Sequence, residues 1–66
     1  METKLEYIYA VYQEKSFVKA AEKLYVSQPS LSITIKRIEQ ELGITIFDRR
    51  RKPLVLTEAG KAYIEY

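Results

Sequence analysis

The 66-residue chain has no cysteine and no histidine. The first absence removes disulfides and thiolate metal sites. The second removes the commonest zinc ligand and the usual general base near neutral pH. No apolar run approaches the ~20 residues of a membrane span. No basic-then-apolar leader opens the sequence, so an export signal is not expected and a cytoplasmic location is. Glycine and proline are scarce, with Gly43, Gly60, Pro29 and Pro53 the whole supply, and there is no repeat, low-complexity tract or Gly/Ser linker. A chain this short forms one domain that buries only ~60% of its unfolded surface. With no staple, hydrophobic packing alone must hold it.

What is present is a globular composition, 47% apolar and 30% charged. The net charge of +2 is too small to decide a partner. Its distribution says more. Residues 1–35 balance four lysines against four glutamates, whereas residues 36–52 set Lys36, Arg37, Arg49, Arg50, Arg51 and Lys52 against Glu39, Glu41 and Asp48, a local excess of +3. A local excess attracts anions more than a total does.

Leu5, Ile8 and Tyr12, with Val11 alongside, recur at helical spacing and predict a helix over about 3–14. Ser16 is an N-cap candidate for a second helix, in which Phe17, Ala20, Ala21 and Leu24 share one face and the alanines leave room for a neighbouring helix. Ser27 is the next cap, Pro29 falls in a first turn where a missing N–H is harmless, and Leu31, Ile35, Ile38 and Leu42 form a narrow apolar stripe to Gly43. That predicts a helix over 28–42. The stretch ITIFDRRRKPLVLT places two short apolar runs around a basic, turn-prone tip, the pattern of a small hairpin. Thr57 caps a last helix, with Ala59, Ala62, Tyr63 and Tyr66 at helical spacing; the pattern stops without a cap, as in a truncated helix. Three helices, a hairpin and a further helix predict a mainly α winged helix-turn-helix, its turn lying between Leu24 and Ser27.

Opposite the apolar stripe of the 28–42 helix lie Pro29, Ile33, Lys36 and Gln40, with Arg37 beside them. A helix-turn-helix puts this face into the major groove of double-stranded DNA, N-terminal residues nearest the bases. Lys36 and Arg37 suit phosphates, Ser30, Ser32 and Thr34 suit phosphates or bases, and Gln28 can pair with adenine. Ile33 suits a thymine methyl; it could equally be an isolated exposed apolar residue or a protein contact. Ser30 and Ser32 could instead bond the backbone near the helix start, and Lys36 and Arg37 could be a solvated face. The tip over about 49–53, with Arg49, Arg50, Arg51 and Lys52, reads as four mutually repelling cations that bury nothing and fit a narrow, negative minor groove, or as a solubilising loop. With no histidine, cysteine or paired carboxylates in a cleft pattern, neither an enzyme nor a cofactor or metal is expected. A protein-interaction module on the same scaffold, using Ile33 and some of the six tyrosines, is the alternative from another class.

The segments SF-x-x-AA-x-x-L, SQP-x-LS, I-x-x-x-E-x-x-LG, Ile46–Phe47–Asp48–Arg49 and LTEAG, in this order, resemble the N-terminal DNA-binding domain of LysR-type transcriptional regulators across essentially the whole chain. The resemblance implies a winged helix-turn-helix over 1–56 and the start of a linker helix over 57–66. It implies dimerisation through that helix in the full-length protein, and a small-molecule effector only for a C-terminal domain not in this sequence. The 66-residue chain is expected to be a monomer, or a weak dimer through Ala59, Ala62, Tyr63 and Tyr66. By the same resemblance Gln28, Pro29 and Ser32 lie at the major groove, Lys52 matches a position that enters the minor groove, and Arg49 supports the wing or meets phosphate. At Ile33 the family commonly has arginine or another long polar residue, and at Thr34 glutamine is frequent. Isoleucine cannot make a bidentate bond to guanine, so a different half-site preference is implied.

Overall fold

The computed structural model describes residues 3–65. In order they form α1 (Thr3–Glu14), α2 (Phe17–Leu24), α3 (Gln28–Leu42), β1 (Phe47–Asp48), β2 (Val55–Leu56) and α4 (Glu58–Glu65). The helix boundaries follow the capping residues. Ser16 Oγ accepts from Lys19 N at 3.1 Å and starts α2. Ser27 Oγ accepts from Ser30 N at 3.2 Å and starts α3, with Pro29 in the first turn. Thr57 Oγ1 accepts from Gly60 N at 2.9 Å and starts α4.

The ends of α2 and α3 share one device. At each, a residue in the left-handed region returns two N–H groups to the last turn. After α3 it is Gly43 (φ 74), with Gly43 N on Gln40 O at 3.2 Å and Ile44 N on Glu39 O at 3.1 Å. After α2 it is Tyr25 (φ 59), with Tyr25 N on Glu22 O at 3.2 Å and Val26 N on Ala21 O at 3.0 Å. A tyrosine there carries a steric cost that glycine does not. Its ring is 94% exposed, so nothing packed against it offsets that cost.

Ile8 and Val11 of α1, Ala20 and Ala21 of α2, Leu31, Ile35 and Ile38 of α3, and Ile46, Phe47 and Leu54 of the wing make one buried core. The two alanines let α2 sit close to its helical neighbours, and the Phe17 and Phe47 rings meet edge-to-face at 6.2 Å. The hairpin is smaller than the apolar runs suggest: β1 and β2 pair antiparallel through Phe47 with Leu56 and Asp48 with Val55, and Ile44 lies outside both strands.

One further expectation is corrected. Leu42 is on the stripe by angle yet 40% exposed, because it is the last residue of α3 and lies past the edge of the core. Glu39 is buried instead, 8% exposed. In α4 Gly60 packs inward: a Cβ there would lie 2.2 Å from Ile46 O. Ala59 and Ala62 are exposed, Tyr63 and Ile64 pack partly on the core, and Tyr66 lies outside the described residues. Among the described residues no helix is long and apolar enough to cross a membrane.

Candidate nucleic-acid interface

Helix α3 supplies most of the candidate residues. Gln28, Pro29, Ser30, Ile33, Lys36 and Arg37 are all exposed, and Ser32 is half-buried on the flank of the helix. Ile33 is 61% exposed, the most open apolar side chain of α3. Ser27 Oγ donates to Ser30 Oγ at 2.9 Å while capping the Ser30 N–H, so the Ser30 hydroxyl is engaged by a neighbouring side chain and not by the backbone. Near the C-terminal end, Lys4 Nζ contacts Glu41 at 2.9 Å. That hydrogen bond, then the lysine charge and the neighbouring Arg37, hold the Glu41 carboxyl below its ordinary range.

The basic tip is not four equivalent cations. Arg49 turns into the protein: Nη1 donates to Ser32 Oγ at 2.7 Å, Nη2 lies 3.6 Å from Glu39 Oε1, and the guanidinium stands 4.5 Å over the Phe17 ring. Arg50 folds back on Asp48, with Nε 3.0 Å from Oδ1 and Nη2 3.2 Å from Oδ2, while its own N–H donates to Oδ1 at 3.1 Å. These bonds hold the Asp48 carboxyl below the usual carboxylate range and raise the Arg50 guanidinium further. Arg51 and Lys52 are exposed and form no ion pair among the described residues. The expectation that all four repel each other and bury nothing is therefore corrected. Glu39 and Asp48 lie beside two of the cations, and the remaining two face solvent.

Glu39 is the residue that sequence reasoning missed. Its Oε2 accepts from Ile46 N at 2.7 Å and Phe47 N at 3.2 Å, so one carboxylate ties α3 to the start of β1 and also faces Arg49. A signal was present. Glu39 lies four residues after Ile35 and eight after Leu31, at the margin of the apolar stripe, where an unpaired carboxylate would be costly. Gly60 was missed as well, and no local pattern marks it. At the other end of the wing, Thr57 N donates to Ile46 O at 2.9 Å and Thr57 Oγ1 also reaches Thr45 O and Ile46 O. The wing is thus anchored on α3 at one root and on α4 at the other.

The geometry has close counterparts. Residues 3–61 match the family model described as bacterial regulatory helix-turn-helix protein, lysR family. The probable RuBisCO transcriptional regulator of Trieres chinensis is 48% identical over 62 residues, covering 94% of this chain and 20% of that protein. The RuBisCO operon transcriptional regulator of Allochromatium vinosum is 42% identical over 57 residues, covering 86% and 19%. The crystal structure of the BenM DBD in complex with benA site 1 DNA superposes with a TM-score of 0.92 at 43% identity, covering all of this chain and 75% of that one. The chain spans about a fifth of the length of these curated relatives. With a family match over most of its length, the chain belongs to the LysR family of bacterial regulatory helix-turn-helix proteins.

Proposed function

We propose that the chain binds double-stranded DNA sequence-specifically, as residues 1–56 of a transcription regulator whose linker helix begins within 57–66. α3 enters the major groove, with Gln28, Pro29, Ser30, Ser32 and Ile33 nearest the base edges and Lys36 and Arg37 at phosphates. Arg51 and Lys52 carry the wing to the adjacent minor groove. Arg50 contributes less, its charge being shared with Asp48, and Arg49 acts through the wing it holds. The observation that carries this reading is the 2.7 Å bond from Arg49 to Ser32, which sets the root of the wing beside the groove-facing flank of α3. The likeness to a domain solved on DNA supports it.

The longer protein works in the cytoplasm as a dimer. The exposed Ala59 and Ala62, with Tyr63, belong to the dimerising face of its linker helix, and a small-molecule effector acts on a further domain. The test is fluorescence anisotropy of this chain with a randomised duplex pool at two salt concentrations, followed by sequencing of the retained fraction. Salt-sensitive binding with an enriched half-site is expected. Absence of binding at low salt would move the reading to a protein-interaction module centred on Ile33.

A further inference from the structure

We infer that Ser32 meets its DNA acceptor as a hydrogen-bond donor, and that Arg49 is the positioning residue that fixes this polarity. The inference rests on the DNA-binding reading above. A serine hydroxyl can ordinarily donate or accept, and so reads either kind of base edge. Here the choice is already made within the protein. A guanidinium has donors only and stays charged, so the 2.7 Å contact between Arg49 Nη1 and Ser32 Oγ runs one way, with the serine oxygen accepting. The contact is short, as charge-assisted bonds are.

The arginine is held from two further sides. Its carbon centre lies 4.5 Å over the Phe17 ring, and Nη2 lies 3.6 Å from Glu39 Oε1. Glu39 is itself fixed by the Ile46 and Phe47 amides at 2.7 and 3.2 Å. A lone pair of Ser32 is therefore engaged by a cation, which weakens the oxygen as a second acceptor and polarises its O–H outward. The Ser32 hydroxyl donates no hydrogen bond among the described residues. Ser32 thus presents a donor on the flank of α3. It recognises an acceptor, which is a purine N7, a guanine O6, a thymine O4 or a phosphate oxygen, and it disfavours the amino groups of adenine and cytosine.

The experiment starts from a duplex enriched by this chain from a random pool. Its acceptors are deleted one at a time with 7-deazapurines, 2-aminopurine for guanine, 5-methyl-2-pyrimidinone for thymine, and methylphosphonates for phosphates, and its amino groups with unsubstituted purine for adenine and 2-pyrimidinone for cytosine. One deletion is expected to weaken wild-type binding about five- to tenfold, the size of one good hydrogen bond, and to have no further effect on Ser32→Ala. Ser32→Thr should restore the sensitivity. Arg49→Lys, whose single ammonium cannot span Ser32 and Glu39 together, should reduce the penalty to about twofold or less. The base arms and the methylphosphonate arm separate a base contact from a phosphate contact.

Three results overturn the inference while leaving DNA binding intact. Equal sensitivity in the wild type and Ser32→Ala makes Ser32 only a brace for the wing. Sensitivity at an adenine or cytosine amino group, lost in Ser32→Ala, makes it an acceptor. An unchanged penalty in Arg49→Lys removes Arg49 from the assignment. A wild-type chain that binds no duplex at low salt overturns the DNA reading itself, and the inference with it.

Discussion

Replacing Glu39 with alanine is expected to remove much of the stability of this domain. Its Oε2 is the acceptor for two buried amides, Ile46 N and Phe47 N, and its Oε1 is the nearest carboxylate oxygen to the half-buried Arg49. Truncation strands both N–H groups at about 1–3 kcal/mol each. It also leaves the partly exposed guanidinium without a counter-charge, about 1 kcal/mol more, so a total loss of about 3–7 kcal/mol follows. A 66-residue domain has roughly 3–10 kcal/mol to lose, at about 0.05–0.15 kcal/mol per residue. Urea denaturation followed by far-UV circular dichroism measures the change directly.

Glu39→Gln separates the two roles. It keeps an acceptor for the amides but loses the charge facing Arg49, which is 30% exposed and partly screened, so a cost of about 1 kcal/mol is expected. Glu41→Ala, which breaks an exposed pair with Lys4, serves as the surface control and should stay within measurement error. If Glu39→Ala cost no more than that control, the two amides would have to be satisfied by water, and the coupling of α3 to the wing through Glu39 would be refuted.

Gly60→Ala should lower the melting temperature by at least about 4 °C, because its Cβ would lie 2.2 Å from a backbone oxygen that cannot swing away; an unchanged or higher value contradicts the close approach of α4 to Ile46. Tyr25→Gly should raise it by a few degrees, about 1 kcal/mol, since glycine relieves the positive φ and the exposed ring contributes no packing. A lower melting temperature would mean the ring has a partner. In DNA-binding titrations, Arg51→Gln and Lys52→Gln should each reduce the slope of log K against log salt by up to about 0.9, and Arg50→Gln by clearly less because Asp48 already shares its charge; three equal changes would defeat that division. Arg50 depresses the folded-state pKa of Asp48, so this pair's stabilisation is fully present above about pH 4 and is lost as pH falls through the depressed value. Carboxyl NMR should show Asp48 moving up towards the ordinary range in Arg50→Gln, part of the depression remaining through the N–H of residue 50, and an unmoved titration would reject the pairing.

The helix starts were legible because each rests on a local rule. Ser16, Ser27 and Thr57 were read as caps and each accepts the expected backbone N–H. The exposed side of α3 was legible for the same reason, periodicity being a local property. What periodicity cannot supply is position along an axis. Leu42 has the angle of a core residue but projects past the end of the core, whereas Glu39 is carried into it by the chain returning as β1. The same limit applied to the wing cations. Four adjacent positive charges look alike in sequence; Arg49 is set apart by partners distant in the chain, Phe17, Ser32 and Glu39, and Arg50 by its near neighbour Asp48. Gly60 carried no turn signal because its reason is the Ile46 carbonyl on a different element. Nothing local marks the left-handed backbone at Tyr25, since a tyrosine there is a cost and not a preference.

Those long-range contacts bear on what a two-groove reader requires. In the DNA-binding reading proposed above, α3 and the wing would have to approach DNA with a fixed offset, because a major-groove contact and a minor-groove contact lie a set distance apart on the duplex. A two-residue β-ladder is too short to fix that offset by itself. Here the ladder is pinned at both roots, by Glu39 and Arg49 on the α3 side and by Thr57 on the α4 side. The α4 anchor has a second consequence. A linker helix continuing α4, as proposed above, would join the wing through Thr57 and the close Gly60–Ile46 approach. Glu39→Gln, which keeps the fold but slackens the other root, should therefore lower affinity for the preferred duplex more than for bulk DNA, about threefold or more against little change. Equal losses on both would show that the wing contributes charge alone and that its placement carries no specificity.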